Sequence, residues 1–260
     1  MGGRSPWDGA RALVTGASSG IGEAIARRLA AAGAAVVVTG RNAEALEALA
    51  AAHPGSVEAV AGDLTRPEVR ERLAAAAGDR LDLLVNNAGV TMNARFEELD
   101  PEVVRRIMEI NFFATVELTR LLLPALVTAR GRIVVMSSVT GLVGTPTRSA
   151  YAASKHALHG LFGSLRVELR RRGVSVTIVC PGYVATPMRR RALLADGSEQ
   201  GRDQAEGRRM LSADAVARAT LAAAARRRRL VRLGSETHAA RLLSLVAPGL
   251  LDAILERATR

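Results

Sequence analysis

Segments with the spacing of strands and segments with the spacing of helices alternate along this chain from end to end. That alternation leaves few folds open. The short apolar runs 11–15, 35–39, 57–61, 81–86, 132–137, 175–180 and 230–233 read as buried strands, and 20–32, 43–52, 67–77, 101–128, 149–171 and 213–227 read as helices. Boundary residues agree with this division. Gly33 and Gly173 follow helical runs, where a left-handed turn is needed, and Asp100-Pro101 and Ser212 precede them, where a cap belongs. The expectation is an α/β fold, a doubly wound parallel sheet of the Rossmann type with about seven strands and helices on both faces. Ligands then bind at the C-terminal edge of the strands.

No stretch rich in Pro, Gly or Ser divides the chain, so 1–260 is expected to be a single domain. Two segments stand apart. The weakly patterned 187–211 contains three consecutive arginines and Asp196-Gly197-Ser198, is too polar for core, and is expected to be a mobile lid. The C-terminal extension 235–260 carries two short apolar helical stretches split by Pro248-Gly249. These are too short to span a membrane and are expected to cover the body or a partner subunit, with interfacial membrane contact the less favoured reading.

Composition narrows the function. Hydrophobic residues make up 48% of the chain and aromatics only 3%, so the core must be built from Ala, Val, Leu and Ile. Cys180 is the single cysteine, which precludes an internal disulfide and suits a reducing compartment. No apolar leader begins the chain and no apolar stretch reads as long enough to span a bilayer, so a cytoplasmic protein is expected. The formal charge of +11 comes from arginines scattered over most helices, with no recognisable nucleic-acid module, and no nucleic-acid partner is expected. His156 and His159 lie three apart without a further ligand, so no metal is expected and both read as surface or packing residues.

One oddity of composition points to a site. Every basic side chain but one is arginine, and the exception is Lys155. Tyr151, one of two tyrosines, stands four residues before it, so on a helix the two share a face. An ammonium beside a phenol favours the phenolate and brings the hydroxyl toward acid–base use. Ser138, at the mouth of the fifth strand, can hydrogen-bond a substrate oxygen as charge develops on it. The first strand ends in Thr15-Gly16-Ala17-Ser18-Ser19-Gly20-Ile21-Gly22 and a helix follows. Such a turn lets backbone approach a pyrophosphate at a helix N-terminus.

Thr15-Gly16-x-x-x-Gly20-x-Gly22, Asn86-Asn87-Ala88-Gly89, Asn111, Ser137-Ser138, Tyr151-x-x-x-Lys155 and Pro181-Gly182 stand in the order and spacing of the short-chain dehydrogenase/reductase family, which this chain resembles over roughly 10–190. The resemblance implies a hydride-transferring enzyme that interconverts a carbonyl and an alcohol. In it Tyr151 protonates the carbonyl oxygen, Lys155 holds the nicotinamide ribose and tunes Tyr151, Ser138 orients the substrate, and Asn111 anchors a proton-relay water. It further implies cofactor contacts at Gly16, Ser18, Ser19, Gly20, Ile21, Gly22, Asp63, Leu64, Asn87, Ala88, Gly89, Tyr151, Lys155, Pro181, Gly182, Val184 and Thr186. It also implies a homodimer or homotetramer assembled through the helix that carries Ala152, His156, Gly160, Gly163 and Val167.

The second strand ends in Gly40-Arg41. An acid there accepts the ribose hydroxyls of NAD; an arginine suits the 2′-phosphate of NADP through charge-assisted hydrogen bonds. The expected cofactor is NADP(H). Val90, Met92, Leu142, Val143, Tyr183 and Met188 are expected to form a mainly apolar pocket for a small ketone or aldehyde. The competing reading is a non-catalytic NADP(H)-binding regulatory or scaffold protein of the same fold.

Overall fold

Strand residues of alternating orientation bury both faces of one sheet. The computed structural model describes residues 5–202 and 210–257. Strands β1 (Arg11–Thr15), β2 (Ala35–Gly40), β3 (Val57–Ala61), β4 (Leu83–Asn86), β5 (Arg132–Met136), β6 (Ser175–Pro181) and, after a minor pair described below, β9 (Leu230–Leu233) form a seven-stranded sheet. Its order is β3-β2-β1-β4-β5-β6-β9, and every pairing is parallel. Leu13, Val37, Leu84 and Ile133 point to one face, beneath α3 (Pro67–Ala77), α5 (Ala114–Thr128) and α6 (Ser149–Glu168). Ala12, Val14, Val38, Val85 and Val134 point to the other, beneath α1 (Gly20–Ala31), α2 (Ala43–Ala51) and α7 (Ala213–Ala225). The small side chains of α1 and α7 let these two helices lie close together on that face.

The strand order reverses direction between β1 and β4, and the crevice that opens there lies outside the C-terminal strand ends, as the Rossmann expectation requires. Residue registers bring the ends of these two strands together, with Val14 opposite Val85. The glycine-rich turn after β1 and Asn87-Ala88-Gly89 after β4 are therefore neighbours.

Three expectations change. The run 101–128 is not one regular helix: α4 (Pro101–Met108) passes through a π turn at Glu109–Phe113 before α5. The wider turn carries Asn111, whose carboxamide is drawn to the loop after β4. By length and composition Pro101–Thr128 is apolar enough to cross a membrane, contrary to the sequence reading. Its Leu118, Leu122 and Leu126 instead pack into the core against the sheet. The expected lid is anchored along part of its length, because Ala192 and Leu193 are buried. The Leu193 amide donates to Thr91 O at 2.9 Å, and the Asn93 amide donates to Leu193 O at 2.8 Å. The same stretch is bounded by the minor parallel pair β7 (Val184–Ala185) and β8 (Leu211–Ser212). Residues 203–209 of that segment, 258–260 of the C-terminal extension and 1–4 of the expected domain lie outside the described residues. The extension forms α8 (Ser235–Val246) and α9 (Pro248–Arg257), seated on the body through Thr237 and Leu251.

Candidate active site

A cavity of about 980 Å³ occupies the crevice, near the upper end of the size range usual for ligand pockets. Gly16, Ser18, Ser19, Gly20 and Ile21 line one part of it. Gly16 needs its left-handed φ of +65°, and a Cβ there would lie 2.9 Å from Ala88 Cα. Ser19 stands at the N-cap of α1 yet makes no side-chain cap hydrogen bond, so the first amides of the helix face the cavity. These groups fit a pyrophosphate. Gly22 does not line the cavity. A Cβ on it would lie 2.3 Å from Gly16 O, so it serves the turn by letting helix and loop touch, a correction to its expected cofactor contact. Asn87, Ala88 and Gly89 line the floor, where Thr15 Oγ1 accepts from the amides of Asn87 and Ala88, each at 2.9 Å. Thr15, which was read only as part of a motif, is thus the tie between the two strand ends.

At the ends of the second and third strands Gly40, Arg41, Asp63 and Leu64 line the cavity with Ser18. A Cβ on Gly40 would sit 3.0 Å from Ser18 Oγ, and Arg41 is exposed. Asp63 Oδ1 accepts from the Thr65 amide and hydroxyl at 3.0 and 2.9 Å. The charge and hydroxyl at this end fit a 2′-phosphate.

Tyr151 and Lys155 lie in the first turns of α6 and reach the middle of the cavity, both buried. Ser138 follows β5, is hydrogen-bonded to the Tyr151 phenol and accepts from the Thr140 amide at 3.3 Å. Lys155 Nζ donates to Met136 O at 2.9 Å and lies 5.6 Å from the centre of the Tyr151 ring. The expectation that Lys155 lowers the tyrosine pKa is not met. Burial pushes Tyr151 above the ordinary phenol value; its bond to Ser138 and the nearby Arg148 only partly offset that. Burial also brings Lys155 down to about 8. In both groups desolvation by burial is the largest cause of the shift.

Asn111 is buried behind the cavity, not at its surface. Its Oδ1 accepts from Val90 N at 2.8 Å, and Nδ2 donates to Val90 O at 2.9 Å and Ser154 Oγ at 3.0 Å. These three bonds hold the loop after β4 against the π turn, so the side chain positions that loop. Pro181, Gly182, Val184 and Thr186 line the cavity as expected. Glu236 of α8 holds them: its Oε1 accepts from the Tyr183 amide at 3.0 Å, pressed against the bare Cα of Gly182.

Two further features escaped the sequence. His159 Nε2 lies 2.9 Å from Ser137 Oγ and 3.6 Å from Cys180 Sγ, beneath the catalytic strand end. Burial lowers this histidine to about 4 and pushes Cys180 up to about 12, so both remain neutral. Arg148, one turn before Tyr151, lines the cavity and donates to Thr91 Oγ1 at 3.3 Å and to Met92 O. Of the expected apolar pocket, Val90, Tyr183 and Met188 line the cavity. Met92 and Val143 are buried elsewhere and Leu142 packs on the core.

Residues 10–196 match the family model described as short chain dehydrogenase. The chain is 39% identical over 268 residues to dehydrogenase/reductase SDR family member 7B of Bos taurus, covering 95% of this chain and 81% of that one. It is 44% identical over 188 residues to 1-deoxy-11-beta-hydroxypentalenate dehydrogenase of Streptomyces exfoliatus, covering 68% of each. Its fold superposes on a short chain dehydrogenase from Burkholderia cenocepacia, solved in complex with NADP, with a TM-score of 0.82 and 28% identity over 96% of this chain and 98% of that one. With the glycine-rich turn, the Ser138–Tyr151–Lys155 set and the sheet order all in place, this chain belongs to the short-chain dehydrogenase/reductase family.

Proposed function

We propose that the protein is an NADP(H)-dependent oxidoreductase that interconverts a ketone or aldehyde and the corresponding alcohol. The observation that carries this reading is the meeting of Ser138, Tyr151 and Lys155 in the same cavity as the open N-terminus of α1. A bound nicotinamide supplies hydride chemistry. Tyr151 Oη gives its proton to the carbonyl oxygen in reduction and takes it back in oxidation. Because burial keeps its pKa high, the phenol is protonated at neutral pH and ready to act as the acid. Ser138 Oγ, bonded to the same phenol, holds the reacting oxygen. Lys155, fixed by Met136 O, holds the nicotinamide ribose, and Arg41 with Ser18 pairs with the 2′-phosphate. The Streptomyces relative is named as a dehydrogenase of a hydroxylated compound, which supports chemistry at a CH–OH group. The Burkholderia neighbour's complex with NADP supports the cofactor.

The test is a panel of small ketones and aldehydes scored by NADPH oxidation. Turnover of at least one supports the reading. Tight NADPH binding with no turnover on any of them favours the regulatory alternative.

A further inference from the structure

The cavity that holds Tyr151 also takes basic side chains where an apolar pocket was expected. Arg106 from α4, Arg148 from the start of α6, and Arg189 and Arg191 from the segment after β7 all line it. They come from three separate parts of the chain, and the fold brings Arg106 and Arg148 to the same cavity as two members of the Arg189–Arg191 run.

Two of these guanidiniums are held in place. Arg148 is tied to the Thr91–Met92 backbone and hydroxyl, and Arg189 donates to Val184 O at 3.0 Å with its guanidinium 5.1 Å from the Tyr183 ring centre. The other two are exposed at the mouth. Arg106 meets only a backbone carbonyl, Gly197 O at 3.3 Å, and Arg191 makes no side-chain hydrogen bond or ion pair among the described residues.

Six arginines elsewhere meet a carboxylate among the described residues. Arg27 meets Glu23, Arg28 meets Asp214 and Arg70 meets Glu117. Arg105, next to Arg106 on α4, meets Glu102. Within the cavity Glu109 and Glu199 also line the surface, yet neither pairs with Arg106 or Arg191 among the described residues. Among the described lining residues basic side chains outnumber carboxylates, and Val90, Ile110, Val139, Pro146, Met188 and Leu255 supply apolar surface. A partly enclosed cleft of this kind strengthens attraction for an anion relative to open solvent.

We propose that the substrate carries a carboxylate or phosphate on an apolar body, and that Arg106 and Arg191 hold this anion while the carbonyl lies at Tyr151 and Ser138. This rests on the oxidoreductase reading above. Guanidinium suits both anions, because its planar fork donates two parallel hydrogen bonds to either.

The experiment compares three probes that carry the same ketone on the same chain: an oxo-fatty acid, its methyl ester, and the matching alkyl phosphate. For the wild type, kcat/KM for the acid or the phosphate should exceed that for the ester by at least about tenfold, chiefly through KM. The advantage should shrink as ionic strength rises. The better of the two anions identifies the group. In Arg191→Met and Arg106→Met the ratio of anion to ester should fall toward one; Arg191→Lys should restore part of it. Both side chains are exposed, so the variants should fold. Equal efficiency on ester and anions, or a ratio that survives both Met substitutions, overturns the inference and leaves the oxidoreductase reading standing. No turnover on any of the three by a protein that binds NADPH overturns both.

Discussion

A lysine sealed inside a protein works against its own hydration, and Lys155 shows what its position costs. Burial lowers it to about 8, so between there and the unfolded value of 10.5 the unfolded chain binds the extra proton. Stability contributed by this group therefore rises with pH across that window. Lys155→Met removes the effect. Relative to that variant, the wild type should gain stability between about pH 7 and about pH 10, by at most about 3 kcal/mol. Denaturant unfolding of both proteins at the two pH values checks this, and a constant difference would contradict it. Arg41 makes a second case. Hydrogen bonds to charged groups contribute about 1.5–3 kcal/mol, and about 1.4 kcal/mol is tenfold in affinity. Titrations at matched ionic strength should show NADPH preferred over NADH by at least roughly tenfold, with Arg41→Ala erasing most of that by weakening NADPH alone. Asp at position 40 would bring its Cβ to 3.0 Å from Ser18 Oγ, a contact that a turn of the hydroxyl relieves. Tyr151, Lys155 and Ser138 were legible in the sequence because their types and spacing carry their chemistry. Their pKa values were not, because desolvation depends on everything packed around them.

Among elements, the strands were the most legible, since short β-branched runs such as Ile133-Val134-Val135, bounded by turn residues, favour a covered sheet. The break in the 101–128 helix was not: no proline or glycine marks it. The π turn follows from Asn111 reaching Val90, a contact across 21 residues that spacing does not reveal. Glu236 escaped notice for the same reason, lying 53 residues from the amide it accepts. Its role predicts an effect at distance. Glu236→Ala should loosen the Pro181–Val184 segment and raise KM for NADPH by up to about tenfold, whereas Glu236→Gln, which keeps an acceptor oxygen, should stay near wild type. Steady-state kinetics at saturating carbonyl substrate decide this; equal KM in all three proteins would remove α8 from the cofactor site.

Across the whole molecule, α6 serves two sides. Its inner face carries Tyr151 and Lys155, and its outer face leaves His156 and Gly160 exposed, Gly163 partly so, and Val167 62% exposed. A Cβ would meet nothing within 4 Å at either glycine, so a second helix can approach closely there. Ala152 does not belong to this face, because it is buried within its own chain. Light scattering at micromolar concentration should show a dimer or tetramer, and Gly160→Arg should shift it toward monomer. A monomeric wild type would contradict that assembly. In the proposed reaction a proton moves through Tyr151 as hydride passes between cofactor and carbonyl. The direct measurement is NADPH consumption in a single turnover with excess carbonyl substrate, wild type against Tyr151→Phe, with NADPH affinity titrated in both. The variant keeps the ring and its packing, so the rate should fall by about 10²–10⁴ while affinity stays within about twofold. A variant that consumes NADPH within threefold of the wild-type rate would remove Tyr151 from the reaction and the account with it.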